Sequence, residues 1–168
     1  LRQAVELCRI VGQQHHAGAA QHLQHANRHA IVALVVVETE RGVGIDRVEP
    51  GVLQLVGPHL VGEAQAAAFA VVKPGTPCEA VDAAARKVIT DAGFGPGYKV
   101  PGLPHRTGHG IGLEGHEWTN FVKGNKTPLA VGMCFSDEPM IAIPGEFGIR
   151  LEDCVFFDDK GAHFFTKQ

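Results

Sequence analysis

Apolar residues follow a clear periodic pattern only in the later part of the chain. Residues 1–30 have loosely helical apolar spacing, which Gly12 and Gly18 interrupt. Residues 31–37 form a β-branched apolar run that predicts a buried strand, and residues 52–56 fit a second, short strand. The pattern therefore predicts few helices or strands in the N-terminal part of the chain.

Two helices are predicted between residues 63 and 92. The first covers residues 63–73, is rich in alanine and stops at Pro74-Gly75. Thr76-Pro77-Cys78-Glu79 then matches a capping box with proline at the first helical position. The second helix ends before Gly93, and its apolar face carries Val81, Ala84, Ala85 and Val88.

The remainder of the chain predicts a loop followed by strands. Residues 93–112 contain seven glycines and three prolines, so most of this segment is expected to be loop. Strands are predicted at 133–138, 140–143, 148–157 and 163–166, with turns at 144–146 and 158–161. Two helices followed by a meander of strands predict an α+β fold.

Composition narrows the class of protein. The 168 residues are 45% hydrophobic and carry a net charge of -3, as expected of one globular domain without the basic face of a nucleic-acid-binding protein. The longest apolar run has eight residues, whereas a membrane-spanning helix needs about 20, so no membrane segment is predicted. The four cysteines include no C-x-x-C pair and are too sparse for a disulfide scaffold, and a cytoplasmic protein is expected.

Residue types are unevenly distributed along the chain. All eleven aromatic residues lie at Phe69 or later, and all seven lysines lie at Lys73 or later. Aromatic side chains usually supply much of the core area, so a segment without them is an unusual part of a domain. A boundary is therefore predicted near residues 60–68.

Three segments of the second half contain side chains suited to catalysis: residues 105–117 (HRTGHGIGLEGHE), 136–139 (SDEP) and 148–153 (GIRLED). Glycines on both sides of His109 allow close backbone approach and let the histidine face a cavity. Alternate residues of a strand share a face, so Glu138 and the pair Arg150 and Glu152 meet on one surface if their strands are neighbours.

Two carboxylates on one surface repel each other unless a proton or a cation lies between them. With the imidazole of His109 they would suit Mn, Co, Zn or Fe(II). The alternative remains open that each acid is a solvated strand residue and each histidine a satisfied loop residue.

In type and order, these three segments resemble those of the pita-bread metallopeptidases, in the prolidase and aminopeptidase P branch. The similarity runs from about residue 64 to residue 166. The resemblance implies an α+β pita-bread catalytic domain, incomplete here, with a curved antiparallel sheet backed by helices. Residues 64–168 would be the C-terminal part of that domain, and residues 1–63 do not match the family.

The resemblance also implies a role for each matching residue. His109, Glu138 and Glu152 would be metal ligands, with Glu138 also taking the proton of the attacking water and Glu152 bridging two metals. His105 and His116 would line the substrate cleft and steady the tetrahedral intermediate, and Arg150 would support a carboxylate ligand. Members of the family use divalent metal, Mn in the first place and Co or Zn as alternatives, and hydrolyse the peptide bond preceding proline. The expected substrate is a proline-containing dipeptide or peptide, and the chain is a possible homodimer.

The chain departs from the family in its metal ligands. The full site also needs two aspartates upstream of the histidine loop, and Asp46 is the only candidate, in a context that does not match. At most one weakly held metal and little or no turnover by this chain alone are therefore expected. Residues 1–63 are divergent, the product of a fusion or rearrangement, or translated in the wrong frame, and the last explanation is favoured.

Other functions are compatible with the same fold. A non-catalytic pita-bread module that binds peptide or protein is the main alternative, although such a module has no need of the metal ligands. The metal-free creatine hydrolase branch fits less well because Glu138 and Glu152 are both present. Trp118 and Phe121 are candidates for the wall of a proline pocket or for the core.

Overall fold

The computed structural model describes residues 58–145 and 147–165, together with the backbone of residues 33–36, 38–39 and 42–43. The two helices of this part are α1 (Pro58–Val71) and α2 (Cys78–Asp91). Its strands are β1 (Ala33–Val36), β2 (Glu38–Thr39), β3 (Gly42–Val43), β4 (Gly108–Gly110), β5 (Glu117–Phe121), β6 (Cys134–Asp137), β7 (Met140–Ile143), β8 (Phe147–Leu151), β9 (Asp153–Asp158) and β10 (Gly161–Phe164).

The strands form two main antiparallel sheets. One has the order β10-β9-β6-β4-β5, the other has the order β1-β8-β7, and β2 and β3 pair separately. The predicted strand over residues 148–157 is divided at Glu152, because Arg150 pairs with Met140 of β7 whereas Asp153 pairs with Asp137 of β6. The chain therefore passes from one sheet to the other at Glu152.

Both helices contribute to one core. Along α2, Val81, Ala85 and Ile89 are buried, which confirms the predicted apolar face, while Ala84 and Val88 lie at its edge. The helices pack on each other, and α1 also contacts β8 and β6. The core also includes Val61, Ala64 and Ala68 of α1 and Phe121, Phe135, Ile149 and Val155 of the strands.

The predicted capping box is wrong. Pro77 is the N-cap of α2 and no side chain caps the helix. The hydroxyl of Thr76 instead donates to the carbonyl of Val71 at 3.0 Å, and the Glu79 carboxylate accepts from the Gly124 amide at 3.1 Å. A side-chain cap is unnecessary because the Cys78 and Glu79 amides donate to backbone carbonyls of residues 127 and 125.

Other sequence predictions have mixed outcomes. The first helix begins at Pro58, earlier than predicted, and the predicted strand at 140–143 is confirmed. Residues 93–107 are irregular as predicted, but β4 and β5 were missed. The loosely helical residues 1–30, the strand at 52–56 and Asp46 lie outside the described residues, whereas residues 33–36 of the strand at 31–37 form β1.

Within the described part of the chain, neither helix has the length and apolar character needed to cross a bilayer.

Candidate active site

The predicted site residues meet where the two sheets adjoin. His109 lies on β4, Glu138 directly follows β6, Arg150 is on β8 and Glu152 lies between β8 and β9. Because the chain changes sheets at Glu152, residues from both sheets face one place. The structure thus brings together side chains that are far apart in sequence.

Close backbone packing holds His109 in place. An ideal Cβ on Gly108 would lie 2.0 Å from the carbonyl oxygen of Ser136, so only glycine allows β4 to approach β6 so closely. The His109 amide donates to Ser136 Oγ at 3.0 Å, and that hydroxyl donates to Glu138 Oε1 at 3.2 Å. The glycine pattern around His109 is thereby explained.

The His109 ring faces Glu138. Its Nδ1 is 2.9 Å from the carbonyl oxygen of Gly110, an arrangement that assigns the ring proton to Nδ1. Nε2 lies 3.1 Å from Glu138 Oε1, so a proton on Nε2 is donated to the carboxylate and makes the ring cationic. Without that proton, two buried acceptors this close call for a cation between them.

Arg150 joins the two glutamates. Its Nη1 lies 3.2 Å from Glu138 Oε2, and its Nη2 lies 3.3 Å from Glu152 Oε2. Burial alone raises the pKa of Glu138, but the hydrogen bond to His109 and the charges of His109 and Arg150 outweigh it, so the pKa lies below its ordinary value. Glu138 is therefore held ionised in a buried position.

The other two predicted histidines flank this group. The His116 ring is stacked on that of His109 with centroids 4.2 Å apart, and the neighbouring His109, followed by burial, lowers its pKa. Burial also lowers the pKa of His105, whose Nε2 is enclosed without a hydrogen-bond partner among the described residues. Both rings are accordingly uncharged at neutral pH.

The donor set fits a divalent ion only in part. His109 and Glu138 supply the nitrogen and oxygen ligands that borderline divalent metals accept. Within the described ranges, however, no three His, Cys, Asp or Glu side chains are grouped closely enough to hold an ion. Glu152 is turned toward Arg150.

The geometry agrees with a comparison against known families. The sequence profile described as metallopeptidase family M24 matches residues 58–159, more than half of the chain. The chain belongs to this family. The predicted family and its pita-bread α+β fold are confirmed, and membership of a metallopeptidase family implies use of a divalent metal.

Relatives in this family include proline-specific peptidases. An Xaa-Pro dipeptidase of Lactobacillus delbrueckii subsp. lactis is 48% identical over 103 residues, which are 61% of this chain and 27% of that protein. Among solved structures, dipeptidase PepE from Mycobacterium ulcerans matches with a TM-score of 0.62 and 45% identity, covering 71% of this chain and 30% of that one. A prolidase from Pyrococcus furiosus matches with a TM-score of 0.62 and 34% identity, over 74% of this chain and 35% of that one.

The chain spans about a quarter to a third of the length of these M24 relatives. The ligand and catalytic roles given to His105, His109, His116, Glu138, Arg150 and Glu152 therefore remain predictions, which the observed clustering supports.

Sequence reasoning missed several buried charged residues. Asp82 and Arg86 of α2 are buried and paired, and a charged pair spaced i, i+4 between the apolar positions 81, 85 and 89 is the signal that would have identified them. Asp137 is buried without a hydrogen-bond partner for its carboxylate among the described residues, and burial, then Asp153 and Glu138, raise its pKa well above the ordinary value. Its position on the inward face of β6 was not singled out.

The structure separates the two aromatic candidates for a pocket wall. Phe121 is completely buried in the core and its ring stacks on that of Phe135 with 4.3 Å between the ring centroids, whereas Trp118 is 78% exposed. Only Trp118 is thus accessible to a ligand.

Proposed function

We propose that this chain is the C-terminal catalytic part of an M24 peptidase that hydrolyses the peptide bond preceding proline. The observation that carries the proposal is the continuous set of contacts from His109 to Glu138, Arg150 and Glu152 at the junction of the two sheets. The names of the relatives supply the substrate class, a proline-containing dipeptide or peptide.

Each residue has a distinct part in this proposal. Glu138, held ionised and buried, ligates the metal together with His109 and accepts a proton from the attacking water. The uncharged rings of His105 and His116 line the cleft and steady the tetrahedral intermediate. Arg150 keeps Glu138 and Glu152 oriented, with Glu152 as the further ligand.

A divalent ion bound there would lower the pKa of water and polarise the scissile carbonyl. We propose Mn as the metal, with Co or Zn as alternatives. Among the described residues only His109 and Glu138 already face each other, and Glu152 would have to turn away from Arg150 to join them. We therefore propose at most one ion per chain, weakly held.

The test combines binding and turnover. Titration calorimetry with Mn²⁺ should give at most one weak site, and two tight sites would contradict this expectation. Release of proline from Ala-Pro, and of the first residue from a longer Xaa-Pro peptide, should require added Mn²⁺ and be slow. Hydrolysis that is unaffected by Glu138→Gln would exclude the proposed mechanism.

One observation favours a second candidate, a non-catalytic module that binds peptide. The Arg150 guanidinium pairs with both glutamates, so one of their two negative charges is compensated without a metal. Saturable binding of an Xaa-Pro peptide without any Mn²⁺-dependent hydrolysis would support this alternative.

We propose further that the protein is cytoplasmic and homodimeric. The M24 part was expected to begin at residue 64, but the family profile already matches from residue 58, and we propose that the segment before this match is translated in the wrong frame. Light scattering of the purified chain tests the dimer. Translation of the source DNA in another frame should restore an Asp-x-x-Arg-Thr motif, the sequence that supplies the missing aspartate ligands in the family that this chain resembles. Finding no such motif in any frame would refute the wrong-frame explanation.

A further inference from the structure

The Asp82–Arg86 pair is a buried ion pair on α2. Arg86 Nε donates to Asp82 Oδ2 at 2.7 Å, and Nη2 donates to Oδ1 at 3.1 Å. Burial of two charges is costly unless the remaining donors and acceptors are also satisfied. The partners of the remaining Arg86 donors and Asp82 acceptors therefore indicate the role of the pair.

Arg86 uses all five of its N–H donors. Besides the two bonds to Asp82, Nη1 donates to the carbonyls of Gly97 at 2.9 Å and Leu103 at 2.5 Å, and Nη2 donates to the carbonyl of His105. These three carbonyls belong to the irregular segment 93–107. The guanidinium therefore fastens that segment to the helix.

Asp82 is saturated as well. Its Oδ1 also accepts from the Thr107 hydroxyl at 2.8 Å, and its Oδ2 accepts from the Tyr98 hydroxyl at 3.0 Å. The Tyr98 ring covers the guanidinium of Arg86 with 3.5 Å between the Cζ atom and the ring centroid. The carboxylate thus binds the same segment at two further points.

The network reaches the candidate active site at two places. Arg86 donates to the backbone carbonyl of His105. Thr107 donates its hydroxyl to Asp82, and its backbone carbonyl accepts a hydrogen bond from the Glu138 amide at 2.8 Å. We propose that Asp82 and Arg86 are positioning residues, which fix His105 directly and Glu138 through Thr107. The consequence for catalysis rests on the proposed function, whereas the consequence for the placement of His105 does not.

Weakening the Asp82–Arg86 pair should make different histidines accessible to a reagent, depending on whether the pair only stabilises the fold or positions the segment 93–107. If the pair only stabilised the fold, its weakening would expose His105 and His109 together. If it positions the segment, His105 alone would become accessible, because β4 and β6 hold His109 independently. Modification by diethyl pyrocarbonate, mapped by peptide mass spectrometry, distinguishes the two, with exposed His59 as the internal reference.

The main variant is Arg86→Lys, which keeps a cation beside Asp82 but has only three donors and no planar fork. We expect modification of His105 to be about tenfold faster than in the unaltered chain, with His109 still protected. An unchanged rate at His105, or rates that rise together at His105 and His109, would overturn the proposal.

The matched control is Lys87→Met. Lys87 pairs with Asp91 at 2.6 Å with the same i, i+4 spacing on the same helix, but both side chains are exposed. This variant should leave His105 as protected as before. Accelerated modification of His105 in this control would show that any charge loss on α2 has the same effect, and would also count against the proposal.

A second variant covers the case in which Arg86→Lys does not fold. Thr107→Val removes one bond to Asp82 and keeps the ion pair. Hydrogen exchange at the Glu138 amide should accelerate, while the Phe157 amide, which donates to Met133 in another part of the sheet, should not. Equal exchange at Glu138 with and without the Thr107 hydroxyl would refute the link to Glu138.

Activity provides a separate readout. If the unaltered chain hydrolyses Ala-Pro with Mn²⁺, Arg86→Lys should lower kcat more than it changes KM, and Lys87→Met should change neither. A kcat that Arg86→Lys leaves unchanged would refute the catalytic part of the proposal. If the unaltered chain hydrolyses nothing, a result that the missing aspartate ligands allow, the modification and exchange results still decide whether the pair positions His105 and Glu138.

Discussion

His109 Nε2 and Glu138 Oε1 lie 3.1 Å apart, and this contact joins β4 to the end of β6. Because His109 Nδ1 faces the Gly110 carbonyl, Nε2 is the ring nitrogen that meets the carboxylate. A proton on Nε2, or the divalent cation that we propose, would satisfy this buried pair.

Glu138→Gln should weaken Mn²⁺ binding at least tenfold, since an amide oxygen carries no charge and is a poorer ligand than a carboxylate. Titration calorimetry measures the Kd. Glu114→Gln serves as the control, because Glu114 is an exposed acid of the nearby loop, and it should bind Mn²⁺ as the unaltered chain does. Equal affinities for the Glu138 and Glu114 variants would show that the ion binds elsewhere.

Arg150→Gln should destabilise the metal-free protein and increase its response to metal. Without the guanidinium, Glu138 and Glu152 lose their shared counter-charge, at a cost of about 2 kcal/mol, below the range for fully buried pairs because Arg150 is partly exposed. If Mn²⁺ binds the folded state, as we propose, it should restore part of this loss.

Thermal unfolding with and without Mn²⁺ tests the Arg150 prediction. We expect the Tm of Arg150→Gln to be lower than that of the unaltered chain without metal and to rise more when Mn²⁺ is added. A variant that unfolds at the unaltered Tm in both conditions would mean that Arg150 does not neutralise the glutamates in solution.

The sequence was informative about the site because its residues lie in short, distinctive segments. Glu138, Arg150 and Glu152 do lie in contact, although the alternation argument assumed one continuous strand beside that of Glu138, which the structure does not have. The glycines around His109 indicated close backbone approach, which Gly108 shows. The division of residues 148–157 between two sheets was not predictable from local pattern. It depends on which strands pair with Arg150 and Asp153, and pairing is a property of the whole fold.

Local pattern also misled at the start of α2. Thr76 and Glu79 have the types and spacing of a capping box, but the two amides that such a box would satisfy have backbone partners. The Glu79 amide donates to the carbonyl of residue 125, and the Thr76 amide donates to the carbonyl of residue 73. The roles of Asp82 and Arg86 were missed for a similar reason. Their partners lie in an irregular segment whose path no periodicity describes.

Gly108→Ala should strongly destabilise the fold. Its Cβ would stand 2.0 Å from the Ser136 carbonyl oxygen, so β4 and β6 would have to separate, at a cost of about 3 kcal/mol. Gly62→Ala is the control, since its Cβ would make an ordinary 3.6 Å contact with Leu151 and alanine favours the helix by roughly 0.5–1 kcal/mol. The urea concentration at the unfolding midpoint should therefore be lower for Gly108→Ala and higher for Gly62→Ala than for the unaltered chain. A Gly108→Ala protein as stable as the unaltered chain would disprove the close approach of β4 to β6.

Tyr98, the one tyrosine of the chain, should ionise above the usual pH of a phenol. Burial is the main cause that raises its pKa, and the nearby Asp82 carboxylate adds to the effect, against an opposing hydrogen bond from the Lys123 amide. Above a pH of about 10 the unfolded chain loses the phenolic proton first, so the folded state then binds more protons. The free energy of unfolding should therefore fall as the pH rises through the pKa of folded Tyr98.

Two measurements check the Tyr98 prediction. The ultraviolet absorbance of tyrosinate gives the midpoint directly, and it should lie above that of the urea-unfolded chain. Lysines also titrate at alkaline pH, so the stability effect is taken as the difference between the unaltered chain and Tyr98→Phe, which keeps the ring over Arg86 and removes the ionising hydroxyl. The difference in Tm between the two should change with pH only above about 10. A midpoint at or below that of the unfolded chain would show that the hydroxyl is not held by Asp82, and the network that supports His105 would then lack one of its members.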